Sequence, residues 1–353
     1  MNQLNPPVKF LVEPYELRKA SAVIMTAIAM LEASHATRAG RPLTFLLGQA
    51  MLAPLTRDLV HLAGACIHTA ANYESCEAAL TPGFLRDFER VEPRLIKSVA
   101  GFALSIEESL GGGETPVNIF NARSVSRKAV GTVTDVLTRL TEAAKTRQIG
   151  VEIGTGAAGR QFTVYLPGTQ NWDPVTGHQA FDLTSDLAAM SAPGISAPER
   201  ATIQALGSLG FGTMAGDTAV LAGYSEGGLV AANLVASGAV TALGGTVAGV
   251  IAVGSPINSV RLPASTRVIS LEHANDPVTK LDLSSKPASR HWFTQKFAPT
   301  GLLGHSLEGY RASLNASGTN AASHLNKLFG EMRGRSKDSV AASLNWFEVS
   351  RTP

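Results

Sequence analysis

The sequence is poor in cysteine, in charge and in long apolar runs, and each shortage excludes something. There are 353 residues and two cysteines, Cys66 and Cys76. On one helix these would lie about 15 Å apart along the axis, beyond the reach of a disulfide. They read as small core residues or free thiols, and they leave the redox compartment open. No secretory signal peptide is expected, because Pro6, Pro7 and Pro14 punctuate the start and no apolar h-region follows. The longest early apolar run, residues 22–31, is about half a membrane span, so no transmembrane segment is expected. Lipid-surface contact stays open. Charged residues make up only 16% of the chain and the net charge is +2. With no basic stripe, a nucleic-acid partner is not expected. No C-x-x-C, H-E-x-x-H or Walker loop occurs, so no metal and no cofactor is expected.

What is present is a large apolar fraction, 44%, enough for a sizeable core. The length suits two or three domains. The two halves differ. Leu17, Ser21, Ile24, Ile28 and Leu31 follow helical spacing, as do Leu52, Leu55, Leu59, Leu62, Cys66 and Tyr73. Gly40 and Pro42 break the stretch between them, which predicts a helical hairpin over residues 1–82. A helical linker region is predicted over 83–147, with helices at 83–108 and 124–146. From residue 148 to 335, strand-like and helix-like stretches alternate. Strands are predicted at 151–153, 162–166, 218–222, 247–253, 267–271 and 291–297, and helices near 182–190, 198–209 and 226–237. This alternation predicts an α/β domain with a mostly parallel sheet covered on both faces. Residues 336–353 are expected to form a C-terminal tail.

Within that second half, Gly223-Tyr224-Ser225-Glu226-Gly227 matches G-x-S-x-G. The five residues alone are weak evidence, since the chain has 34 glycines. Their setting is specific: an apolar strand precedes them and a small-residue helix follows, the strand–turn–helix that a nucleophile elbow needs. A serine on so sharp a turn projects its hydroxyl beyond the sheet edge, and flanking glycines let the neighbouring backbone approach. The N–H of Glu226 is then aimed at a developing oxyanion. After the strand ending at Leu166, Pro167-Gly168-Thr169 is the candidate loop for the second oxyanion donor, Thr169, through its N–H and its hydroxyl.

On this architecture the acid and then the histidine follow the serine along the chain. Asp276 lies just past a strand end, with Pro277 stiffening the turn; Glu272 and Asp282 are rival acids. The downstream histidines are His291, His305 and His324. His305 sits in a loop between the last predicted strand and a helix, the best position for reaching Ser225. Histidine suits general base and acid work because its ordinary pKa lies near neutrality.

Leu166-Pro167-Gly168-Thr169, Gly223-Tyr224-Ser225-Glu226-Gly227-Gly228, Gly254-Ser255-Pro256, residues 271–278 and Gly304-His305-Ser306-Leu307 together resemble compact actinobacterial α/β-hydrolases of the lipase, esterase and cutinase-like kind. The resemblance covers residues 150–315 or so. It implies a Ser225–His305–Asp276 triad, an acyl-enzyme and a carboxylic, lipid-like ester substrate. Glu226 departs from it, since such relatives often carry glutamine there. The first half is similar to the WXG-type helical hairpin of type VII secretion substrates. Tyr73-Glu74-Ser75-Cys76-Glu77 matches the Y-x-x-x-[DE] export signal, although Arg41-Pro42-Leu43 stands where a W-x-G turn would be. That likeness implies an all-α region ahead of the hydrolase, export without a signal peptide to the cell surface or beyond, and contact through the hairpin with the secretion machinery or a helical partner. A cytoplasmic location is the alternative. A second functional reading is therefore an exported interaction protein whose hydrolase fold is inactive or secondary.

Overall fold

The computed structural model describes residues 116–156, 159–170, 178–182, 185–186, 188–189, 196–276, 278–280, 286–287, 289–298, 304–333 and 341–352. The predicted hairpin, with Tyr73 and Glu77, lies outside the described residues, as do the helix predicted at 83–108 and the rival acid Asp282.

Eight strands form one sheet: β1 (Val117–Lys128), β2 (Ile149–Gly156), β3 (Gly159–Leu166), β4 (Thr218–Tyr224), β5 (Thr246–Val253), β6 (Arg267–His273), β7 (Trp292–Phe297) and β8 (Ala341–Arg351). Their order across the sheet is β1-β8-β2-β3-β4-β5-β6-β7. From β3 to β7 every neighbouring pair is parallel, and from β1 to β3 every pair is antiparallel. Among the described residues, helices run over α1 (Val133–Thr146), α2 (Ala197–Ser208), α3 (Glu226–Ala236), α4 (Leu307–Ala316) and α5 (Gly318–Met332).

Each central strand is apolar on both sides, as a strand between two helical layers must be. Phe162, Val164, Leu166, Ala219, Leu221, Val250 and Ala252 share one core with α2 and α3. The alternate residues Tyr165, Val220, Ala222, Ile251 and Val253 share the other with α1, α4 and α5. The α/β expectation with a mostly parallel sheet therefore holds. Among the described residues no helix is long and apolar enough to cross a membrane.

Two stretches differ from the reading of the sequence. The helix predicted over 124–146 begins only at Val133, and the residues before it belong to β1. Inward-leaning Val125 and Arg127 alternate there with exposed Ser124, Ser126 and Lys128, a period of two. The helix starts where a capping box is available: the Thr132 hydroxyl accepts from the Asp135 N–H at 3.1 Å and the Asp135 carboxylate accepts from the Thr132 N–H at 2.9 Å. Residues 336–353, expected to be a tail, contribute β8, which lies inside the sheet between β1 and β2. Leu344 and Trp346 enter one core and Phe347 and Val349 the other. Strand β8 runs parallel to β3, so Arg351 arrives at the same sheet edge as the carboxyl ends of β3 and β4.

Candidate active site

The carboxyl ends of β3, β4 and β6 carry the residues singled out in the sequence. Strand β4 ends at Tyr224 and α3 begins at Glu226, so Ser225 alone makes the turn. It does so at φ 55° and ψ −122°. Positive φ in a non-glycine residue stores of order 1–3 kcal/mol and persists only where the surroundings impose it. Here the Ser225 N–H is held by the Val253 carbonyl of β5 at 2.9 Å. The close approach at the turn also requires glycine. A Cβ on Gly223 would overlap the Gly227 backbone, and one on Gly227 would overlap the carbonyl oxygens of Leu166 and Pro167.

A serine at a helix N-cap ordinarily uses its hydroxyl to hold a helical N–H. Ser225 makes no such cap bond. Its Oγ lies 3.1 Å from His305 Nε2, and His305 Nδ1 lies 2.9 Å from Asp276 Oδ2 and 3.1 Å from Oδ1. An ionised carboxylate can only accept, so the imidazole proton sits on Nδ1 and Nε2 is left to accept from the serine hydroxyl. Asp276 is fully buried. It receives further bonds from the Tyr310 hydroxyl to Oδ2 at 2.6 Å and from the Val278 N–H to Oδ1 at 2.9 Å. Tyr310 Oη in turn accepts from the His273 N–H at 3.0 Å. The carboxylate is thus fixed from three sides.

The imidazole is fixed as well. Tyr224 stacks on His305 with ring centroids 5.0 Å apart. His273, buried beneath, donates from Nδ1 to the Gly304 carbonyl at 2.6 Å and accepts at Nε2 from the Ser313 hydroxyl at 2.9 Å. It therefore clamps the residue just before His305. It also stacks on Tyr310 at 4.0 Å. Burial pushes the His273 pKa down, helped by the nearby His305, against the opposing pull of the Gly304 carbonyl and Asp276.

The other candidates fall elsewhere. Glu272 accepts from the Ser270 hydroxyl at 2.9 Å. His291 takes a bond from its neighbour Arg290 before β7. His324, on α5, meets Phe293 edge-on.

On the opposite side of Ser225, the turn after β3 closes in. A Cβ on Gly168 would lie 3.0 Å from Ser225 Cβ. Glu226 is the first residue of α3, and the first N–H groups of a helix point out of it toward developing negative charge. Thr169 follows Gly168, but its hydroxyl donates to Asp186 Oδ2 at 2.9 Å. That side chain is engaged with a carboxyl, which leaves the N–H as the group of Thr169 available to an oxyanion. The segment bearing Asp186 is itself tied down. Arg351 grips Asp182 with two bonds, of 3.0 and 3.2 Å, and reaches the Ser185 hydroxyl at 2.6 Å. The Gln170 N–H donates to the Phe181 carbonyl at 2.8 Å. Asp186 has its pKa pushed up to about 8, chiefly by burial and further by the charge of Asp182; its bonds with Thr169 and Glu226 oppose the rise.

Reading the sequence singled out Ser225, Asp276, His305, Glu226 and Thr169, and the structure brings all five to one corner. It passed over Tyr224, His273, Tyr310, Asp186 and Arg351. Of these, Tyr224 and His273 lay within a quoted motif and Tyr310 beside one, and none carried a spacing that separates a supporting residue from a core one. Compared with known proteins, no family model matches the chain and no curated protein matches it.

Proposed function

We propose that this chain is a serine hydrolase that cleaves carboxylic esters through an acyl-enzyme. The observation that carries the reading is the continuous hydrogen-bonded line from Ser225 Oγ through His305 to buried Asp276, starting from a serine at positive φ on a strand–helix corner.

The chemistry follows from the groups present. Ser225 Oγ attacks the ester carbonyl carbon while its proton passes to His305 Nε2. The carbonyl oxygen becomes an oxyanion, facing the Glu226 and Thr169 N–H groups; one such donor is worth about 10²–10³ in kcat. Asp276 stabilises the imidazolium and holds its orientation. The tetrahedral species collapses with loss of the alcohol, which takes its proton from Nε2. Water then repeats the sequence on the acyl-serine, losing a proton to Nε2, and Ser225 regains its hydrogen as the acid departs. The apolar surroundings of the elbow favour lipid-like acyl groups.

A fluorophosphonate probe tests the assignment: wild type labels and Ser225→Ala does not. Equal labelling of the two overturns the site. A panel of p-nitrophenyl esters of graded chain length then defines the acyl preference. No labelling and no turnover would leave the interaction-protein reading of the fold.

A further inference from the structure

We propose that Arg351, at the end of β8, is a positioning residue for the turn beside Ser225: its ion pair with Asp182 holds the 178–186 segment, and that segment holds Thr169 and Gln170 in place. The catalytic consequence rests on the hydrolase reading above; the hold on the turn does not.

Arg351 and Asp182 are both buried, at 3% and 1% exposure. The guanidinium forks onto the carboxylate, Nε to Oδ2 at 3.2 Å and Nη2 to Oδ1 at 3.0 Å. Nη2 also donates to the Ser185 hydroxyl at 2.6 Å, and Nε to the Gln179 carbonyl at 3.1 Å. The Arg351 N–H adds a bond to the His178 carbonyl at 2.9 Å. One residue of β8 thus gathers residues 178, 179, 182 and 185. Within the segment, the Ser185 N–H donates to Asp182 Oδ1 at 2.9 Å and its hydroxyl to the Ala180 carbonyl at 2.6 Å. The Asp186 N–H donates to the Asp182 carbonyl at 3.0 Å. Two bonds then pass to the turn after β3. The Gln170 N–H reaches the Phe181 carbonyl at 2.8 Å, and the Thr169 hydroxyl reaches Asp186 Oδ2 at 2.9 Å. Both grip the turn at or next to the Thr169 N–H, the group that would face the oxyanion.

The physics of a buried ion pair suits it to this task. Taking two charges out of water costs about as much as their attraction returns, so the pair adds little net stability. What it does supply is direction, because the planar guanidinium fork meets a carboxylate in one geometry. The segment has other anchors. Ala180, Phe181 and Ala189 are buried in the core shared with α2 and α3, and Asn233 on α3 donates from Nδ2 to the Ala189 carbonyl at 2.7 Å. Losing the ion pair therefore leaves the segment attached but lets its turn-facing end shift. A displacement of about 1 Å at the reacting groups costs about 10²-fold in rate. The oxyanion contact tightens in the transition state, so that cost falls on kcat rather than on KM.

The test pairs kinetics with amide exchange on the full chain. Asp182→Leu combined with Arg351→Met removes both charges, so neither is left buried without its partner. This double variant should unfold cooperatively within a few degrees of wild type. It should turn over p-nitrophenyl esters with kcat lower by about 10–100-fold and KM unchanged. Hydrogen–deuterium exchange should quicken by about tenfold at residues 168–170 and stay as in wild type over α1. Arg351→Lys keeps the charge without the fork and should fall between the two in kcat and in exchange. Wild-type kcat in the double variant overturns the proposal. So does exchange that rises equally over α1, which would make the ion pair a general support of stability. A lower kcat with unchanged exchange at 168–170 overturns it as well. If the double variant does not fold, Arg351→Lys decides, and wild-type kcat and exchange there overturn the proposal. If wild type neither labels with fluorophosphonate nor turns over esters, the hydrolase reading fails, and exchange at 168–170 decides the hold on the turn alone.

Discussion

Replacing Tyr310 with phenylalanine deletes one oxygen, and the structure lets its cost be worked out. That oxygen donates to Asp276 Oδ2 at 2.6 Å and accepts from the His273 N–H at 3.0 Å, both in the interior. A hydrogen bond to a charged acceptor contributes about 1.5–3 kcal/mol net, and a buried N–H left without a partner costs about 1–3 kcal/mol. Against these stands the desolvation of the hydroxyl, which phenylalanine avoids, of about 1–3 kcal/mol. The ring still packs on His273, so no cavity term is added. The N–H cost and the hydroxyl desolvation roughly cancel, so the expected loss is about 1.5–3 kcal/mol, read as a lower urea midpoint at unchanged slope. Catalysis should suffer less. Asp276 keeps the Val278 N–H and His305, so labelling of Ser225 should slow about tenfold, a change of about 1.4 kcal/mol. Asp276→Asn should slow it by about 10⁴, the usual effect of losing a triad acid. If Tyr310→Phe is as stable as wild type to within about 0.5 kcal/mol, the three-sided hold on the carboxylate is refuted.

Other perturbations follow from the same geometry. Gly168→Ala puts a methyl 3.0 Å from Ser225 Cβ and 3.1 Å from the Tyr224 carbonyl oxygen; labelling should drop by about 10²-fold while the circular dichroism spectrum is retained. Ending the chain at residue 340 removes β8 and with it buried Leu344, Trp346 and Phe347, each contributing about 1.5–3 kcal/mol. The truncated protein should fail to fold, and a cooperative thermal transition in it would contradict the central place of β8. His273 has a lowered pKa, so the unfolded chain takes up its proton first as pH falls. The stability that neutral His273 provides is present above the ordinary value of 6.5 and is lost below it. His273→Gln should shallow the decline in urea midpoint just below that pH, and an unaltered slope would count against the burial of a neutral His273 as the source of that decline.

How legible all this was depends on how local the cause is. The strands β3 to β7 could be read because each is a short apolar run between turn residues, and burial on both faces needs nothing more than that. The elbow could be read because its constraint spans five consecutive residues: two glycines admit backbone that would otherwise collide, and the serine between them makes the whole turn. The candidates for acid and histidine after Ser225 came from strand ends together with the chain order expected of this architecture, and Glu272 and Asp282 stayed rivals to Asp276. Strand β8 was not, because its place between β1 and β2 depends on pairing with segments about 190–230 positions earlier, and its alternation of Leu344, Asn345, Trp346 and Phe347 has no partner in its own neighbourhood. The same distance hid Arg351, which reaches Asp182 across 169 positions.

From composition and local pattern alone came the α/β layering, the corner at Ser225 and a short list of partners for it. Which acid meets His305 and how Tyr310 and His273 hold the pair were decided only when distant segments came together. The reason is physical: a turn is governed by sterics between neighbours in the chain, whereas the bonding and charge state of a buried polar group depend on whatever the fold packs around it.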